Sequence, residues 1–210
     1  MLTRSPRGPW VRLVLMISAM GLFVIGYYWG NQYKYARNDP PVIEGVLVRP
    51  ALELPDFELA DATGRPFSSE DLSEHWTMFA FGELSEARGH LAATRMIDVY
   101  NRLADQRDLR GRMQLALASE TQSPNLARDF SRLSPALRVL SGEAGEVGRL
   151  RALLGEDTAG KSEGATVHLF GPGGRLTALF TPTQPAESIA ADLVALSERP
   201  QDLYTESTNE

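Results

Sequence analysis

The run Thr77-Met-Phe-Ala-Phe81, closed by Gly82, limits the possible folds more than any other stretch of this chain. It carries no charge, is bounded by a glycine and is too short for a buried helix, so it reads as a strand covered on both faces. A short polar loop, Glu83-Leu-Ser-Glu-Ala-Arg88, follows, and a helix begins near Gly89. Ala92, Met96, Val99 and Leu103 then recur at helical spacing, with Arg95, Asp98 and Arg102 on the other side. A strand that feeds a helix in this way belongs to an α/β sheet. In such sheets ligands and chemistry collect just past the carboxyl ends of the strands. Glu86 and His90 stand at that place.

The rest of the chain repeats the pattern. Asp56 to Phe67 alternates Phe57 and Leu59 with acids, turns at Asp61-Ala-Thr-Gly64 and returns as a hairpin. Ser68 is placed to cap one helical turn over Ser69-Glu-Asp-Leu72. Met113 to Ala118 predicts a second buried strand, and Ser123-Pro124 opens a helix to about Leu133. Ala136 to Leu140 is a short strand. Val147, Leu150 and Leu153 or Leu154 mark another helix, closed by Gly155. Ala165–Phe170 and Arg175–Phe180 flank Gly171-Pro-Gly-Gly174, a glycine-rich turn between strands and not a phosphate cradle. Pro185 starts a last helix with Ile189, Leu193 and Leu196 buried. Val42 to Val48 is a candidate first extended segment. Strands alternating with helices require a sheet covered on both faces.

The N-terminus differs in kind. Leu13 to Gly30 holds no charge and is flanked by Trp10 on one side and Tyr27, Tyr28 and Trp29 on the other. That pattern predicts a transmembrane anchor at 13–30, after a cytoplasmic segment 1–12. A cleaved signal peptide would need a small-residue site after a shorter apolar run, and here the run ends in bulky aromatics. Arg4, Arg7 and Arg12 precede the span and Lys34 and Arg37 follow it, which favours the domain on the outer side. A polar linker is expected over 31–44, the folded domain over 45–198 and a polar tail over 199–210.

Charge and composition exclude some functions. The net charge is −6, and residues 1–30 carry +3, so the remainder is at −9. An acidic domain of this kind lacks the basic patch that nucleic acid demands, and no nucleic-acid partner is expected. The chain contains no cysteine, which removes disulfides, thiolate nucleophiles and thiolate metal sites together. Ser85 has only His90 nearby as a base, and no oxyanion geometry can be argued for a hydrolase. His75 reads as a surface or edge residue. His168, inside a strand, reads as a packing residue.

Leu54-Pro-Asp-Phe-Glu-Leu-Ala-Asp-Ala-Thr-Gly-Arg-Pro-Phe67 resembles the opening of the SCO/SenC proteins, which are membrane-anchored, thioredoxin-like copper chaperones for cytochrome c oxidase assembly. Phe79-Ala-Phe-Gly82 is similar to their strand end, Leu169-Phe-Gly-Pro-Gly-Gly174 to their late hairpin and Ser188 to Leu196 to their closing helix. The resemblance covers roughly residues 45–197. It implies a thioredoxin-like mixed α/β sheet flanked by helices, preceded by one transmembrane helix. It also implies a single-pass protein of a bacterial inner membrane, with its domain in the periplasm. Its partner would be a respiratory oxidase subunit or assembly factor.

The ligand motif of that family is absent. Counting from Phe81-Gly82 puts Glu86 at the first cysteine of the family's pair and His90 at the second, with Ala87 and Leu91 at its prolines. Counting back from Gly171-Pro172 puts Glu163 at its histidine. Copper(I) prefers soft thiolates, and thiol exchange needs two thiols. No catalytic residue, cofactor or metal is therefore expected, and the reading is a non-enzymatic accessory protein acting by contact. The alternative is a harder metal, copper(II) or another divalent ion, held by Glu86, His90 and Glu163. Against it, a carboxylate near a helix N-terminus, behind a Ser85 cap, is stabilised by the helix dipole with no metal at all.

Overall fold

Strand β4 (Trp76–Phe81) lies near the middle of the molecule and its side chains divide the core in two. Trp76, Met78 and Ala80 point to one face, and Phe79 and Phe81 to the other. This is the period-2 alternation of a strand with both faces covered. The computed structural model describes residues 8–38, 41–121, 123–143, 145–156 and 164–198. The chain divides into two units, Met1–Pro40 and Pro41–Glu210.

In the second unit eight strands form one mixed sheet. They are β1 (Val46–Glu53), β2 (Glu58–Asp61), β3 (Pro66–Ser68), β4, β5 (Met113–Ala118), β6 (Leu137–Ser141), β7 (Val167–Gly171) and β8 (Arg175–Phe180). Their order across the sheet is β1-β8-β7-β4-β5-β6-β2-β3. β4, β5 and β6 are parallel, with Trp76 opposite Met113 and Leu115 opposite Leu137. β7 runs antiparallel to β4, and β8 antiparallel to β7. The crossovers are α3 (Ala87–Arg102) and α5 (Pro124–Leu133), which pack on the Trp76 face with α7 (Ala186–Glu198). The Phe79 face is covered by α2 (Ser69–Ser73), α6 (Glu146–Leu153) and the β2–β3 hairpin. A further short helix, α4 (Arg107–Gly111), lies before β5 and has no counterpart in the sequence reading. Its Leu109 is its single buried residue, too little periodicity to read from the sequence.

Local chemistry explains the element boundaries. Ser68 caps α2, and Asp71 returns a bond to the Ser68 N–H at 2.8 Å, a complete capping box. Pro124 occupies the first turn of α5, as expected. The first strand is displaced from its expected position: it spans Val46–Glu53, not Val42–Val48. The cause is Asp192 of α7, whose buried carboxylate accepts the N–H groups of Glu44 at 3.1 Å and Gly45 at 2.8 Å. Those bonds hold the backbone outside the sheet until Val46 reaches its partner Leu179 on β8.

In the first unit, α1 (Gly8–Asn38) is a single helix of 31 residues. It overruns the expected span and takes in most of the expected linker 31–44. Asn31 to Asn38 contains no proline or glycine, its Lys34 and Arg37 suit a helix C-terminus, and Pro40-Pro41 follows. The described side chains of α1, from Trp10 to Tyr27 without Arg12, are all exposed. Among the described residues no helix is long and apolar enough to cross a membrane. The expected crossing at 13–30 is therefore not met among the described residues, where α1 carries its apolar side chains exposed. The expected segment 1–7 and tail 199–210 lie outside the described residues.

Asp192 gives the first testable expectation. Its carboxylate also accepts Gln184 Nε2 at 2.9 Å, so three donors depend on it. Asp192→Ala should lower the unfolding free energy by about 3 kcal/mol, and Asp192→Asn by less, in urea titrations. Equal curves for wild type and the alanine variant would show that these bonds contribute nothing.

Candidate functional site

Past the end of β4 the chain folds back on itself at two glycines. A Cβ on Gly82 would lie 2.7 Å from the Cα of Gly89, and a Cβ on Gly89 would overlap the carbonyl group of Glu83. Backbone touches backbone there, and glycine is required at both positions for space. Gly82 N–H continues the sheet by bonding Ala118 O at 3.0 Å. Glu86 N–H then bonds Glu83 O at 3.0 Å, and the chain enters α3.

The N-cap of α3 is Glu86, in extended conformation and without a side-chain cap bond. The expected Ser85 cap is therefore displaced by one residue. The 82–89 contact sets the entry angle, and Ser85 is left exposed in the turn. The i, i+4 relation of Glu86 and His90 is realised in the backbone, where His90 N–H bonds Glu86 O at 3.0 Å. Their side chains meet different neighbours. Glu86 lines an open cleft of about 220 Å3 with Phe81, Glu83, Arg88, Glu120 and Arg151. His90 sets its ring edge-on against Phe130 of α5, with centroids 5.2 Å apart. Glu163, the third position singled out by the resemblance, lies outside the described residues. Among the described residues no three His, Asp or Glu side chains gather as a metal site.

The cleft is organised by charge pairs that the sequence reading missed. Arg88, in the first turn of α3, reaches Glu156 beyond α6, with Nη2 2.6 Å from Oε2. Glu156 also accepts the N–H of Thr166 at 3.1 Å, and its side chain is 2% exposed. Burial pushes the Glu156 carboxyl above the usual carboxylate range, and the Arg88 guanidinium opposes that shift. A second pair joins Arg151 of α6 to Glu120, after β5, at 2.9 Å. The Arg151 guanidinium also lies over the Phe81 ring, 5.7 Å from its centre. Glu83 accepts from Ser119 Oγ at 2.6 Å and from the N–H of Glu120 at 2.7 Å and of Thr121 at 3.1 Å. One signal in the sequence pointed to the first pair. An arginine in a first helical turn opposes the helix dipole and calls for an acid elsewhere.

Behind Phe81 lies His168, 1% exposed, with its ring edge-on to Phe81 at 6.0 Å. It packs inside β7, as the sequence reading expected. Burial lowers its pKa to about 4, against backbone groups of Leu154 and Phe79 that act the other way. His75 is half-buried beside Trp76.

No family model matches this chain, and no curated protein does. Solved structures match it. Apo Sco1 of Thermus thermophilus in solution is 20% identical, with 74% of this chain and 97% of that chain covered and a TM-score of 0.58. Copper-bound ScoI of Bradyrhizobium japonicum is 17% identical, with 68% and 98% covered and a TM-score of 0.53. BsSco, a member of the Sco family of cytochrome c oxidase assembly proteins in which a disulfide switch was identified, is 14% identical, with 76% and 99% covered and a TM-score of 0.55. At these identities the likeness is one of fold: the chain has the thioredoxin-like architecture of the Sco proteins.

That fold raises the question of copper, and the residues present do not fit it. Copper(I) selects thiolate and thioether donors. The chain has no cysteine. Glu86 and His90 face different partners.

Two expectations follow for this region. Gly89→Ala should destabilise the protein by about 3 kcal/mol or prevent folding, since backbone must move to admit the methyl. Gly148→Ala in α6, where nothing lies within 4 Å, should be neutral or stabilising by up to about 1 kcal/mol. Similar melting shifts for the two would remove the close-approach argument. For His168, the folded pKa of about 4 lies below the ordinary 6.5, so the unfolded chain binds this proton first. Its contribution is complete above pH 6.5, falls as pH drops from 6.5 to 4 and is constant below. The loss is about 3 kcal/mol for that interval. Urea titrations at pH 7 and pH 4 should show a drop smaller by this amount in His168→Gln; parallel profiles would contradict it.

Proposed function

We propose that this protein is an accessory factor of respiratory oxidase assembly that acts by protein contact, without carrying copper and without exchanging thiols. The observation that carries the reading is the exchange at the end of β4. A Sco-type scaffold is kept, while Glu86 and His90 stand where the family motif has cysteines and guanidinium–carboxylate pairs lie beside them. The link to an oxidase comes from the matched Sco family, of which BsSco is an assembly protein. A fold alone does not confer function. The link is therefore an inference, to be tested in cells.

We place α1 at a bacterial inner membrane as an anchor, with the second unit on the periplasmic side. Exposed apolar side chains support this: Met16 is 77% exposed, Leu22 71% and Phe23 74%. A contiguous apolar surface of this kind is unfavourable in water and favourable against lipid. The excess of arginine before the apolar run supports the orientation. No enzymatic activity is assigned: Ser119, whose hydroxyl donates to the Glu83 carboxylate, is buried and not open to a substrate.

The test combines binding and complementation. The full chain in detergent should take up no stoichiometric Cu(I), Cu(II) or Zn(II). A Glu86→Ala/His90→Ala/Glu163→Ala variant should restore assembled oxidase, read from haem spectra of membranes, as well as wild type does in a strain lacking the protein. Stoichiometric binding that vanishes in the variant, with loss of complementation, would favour the alternative of a rebuilt metal site. A lacking strain with normal oxidase would remove the oxidase link.

A further inference from the structure

Arg88 and Glu156 connect the loop after β4 to the end of α6. Arg88 stands between Glu86 and His90 in the sequence. Glu156 and Thr166 bracket position 163. The pair closes a separation of 68 residues. On one side is the loop that Gly82 and Gly89 pinch shut; on the other are the end of α6 and, through Thr166 N–H, the residue before β7.

We propose that the Arg88–Glu156 pair is a latch that holds the loop 83–90 to the end of α6 and, through Thr166, to the start of β7 without a metal, so that these described parts keep one fixed arrangement at all times. The inference rests on the contact reading above and deepens it: the partner meets a surface that needs no loading step.

Three features support a latch over an incidental surface pair. First, Glu156 is enclosed, and a carboxylate taken out of water is held only by its partners. Second, Arg151, the other cation near Glu156, is engaged by Glu120, which leaves Arg88 as the cation in contact with it. Third, Arg88 holds its place at a cost. Its position opposes the dipole of α3, and its Nε is buried with no hydrogen-bond partner. A side chain in search of solvent would leave such a position, and the Glu156 carboxylate accounts for its staying. The second pair, Arg151 to Glu120, stabilises the same edge from α6 to the segment after β5, so the latch closes against a fixed wall.

The experiment is amide hydrogen exchange on the full chain in detergent, read over residues 83–90 and 164–168, with β5 as an internal reference. Wild type should protect both segments equally in chelator and in the presence of Cu(I) or Zn(II). Arg88→Met should speed exchange in both segments together by about tenfold or more, with β5 unchanged. Glu156→Gln keeps the shape and the Thr166 bond, so it is the variant to rely on if Arg88→Met does not fold; it should speed the same two segments by a smaller factor. Faster exchange in one segment only, or in neither, in a folded variant would overturn the latch. So would added metal that slows wild-type exchange in both segments. Loss of the contact reading has a separate signature. If the latch variants behave as stated but the strain lacking the protein has normal oxidase, the latch stands and the proposed role falls.

Discussion

The backbone contact between Gly82 and Gly89 is the constraint on which this end of the molecule depends. A strand that must hand its chain to a helix on one face of the sheet needs a reversal within a few residues. Here the reversal is so tight that no side chain fits at either glycine. The tightness has consequences on both sides. It fixes Glu83 where its carboxylate can take the N–H groups of Glu120 and Thr121 after the neighbouring strand. It also starts α3 at Ala87, so that Arg88 falls in the first turn and points across the sheet edge to Glu156. A helix starting one residue later would turn Arg88 by about 100° around the axis and break the pair.

Much of the fold could be read in the sequence because its signals are local. Trp76 to Phe81 alternates between the two cores, the capping box at Ser68 and Asp71 lies within four residues, and Gly171-Pro-Gly-Gly174 is turn chemistry in a row. The errors fell where a distant residue decides. The first strand starts at Val46 because Asp192, 147 residues from Gly45 along the chain, holds the preceding backbone. The N-cap at Glu86 in place of Ser85 is set by a backbone contact, which leaves no periodic trace. The cleft past β4 lies where the sequence placed Glu86, and His90 meets Phe130 instead. What fills the position was not legible, since pairing of Arg88 with Glu156 depends on three-dimensional proximity of two unremarkable charges.

The acids near this edge also have an explanation that needs no metal. α3, α5 and α6 all begin at the carboxyl ends of β4, β5 and β6, and none has a side-chain cap bond. Three helix N-termini leave unpaired N–H groups and partial positive charge on one side of the molecule. Carboxylates are favoured there by that charge. Glu86 is the N-cap of α3, Glu146 opens α6, and Glu83 binds backbone N–H groups ahead of α5. Soft donors would have answered the same field as thiolates, since a helix N-terminus also lowers a thiol pKa. Carboxylates and thiolates are therefore two solutions to one electrostatic demand of the fold. With carboxylates on this side of the molecule, arginines there find partners: Arg88 pairs with Glu156 and Arg151 with Glu120.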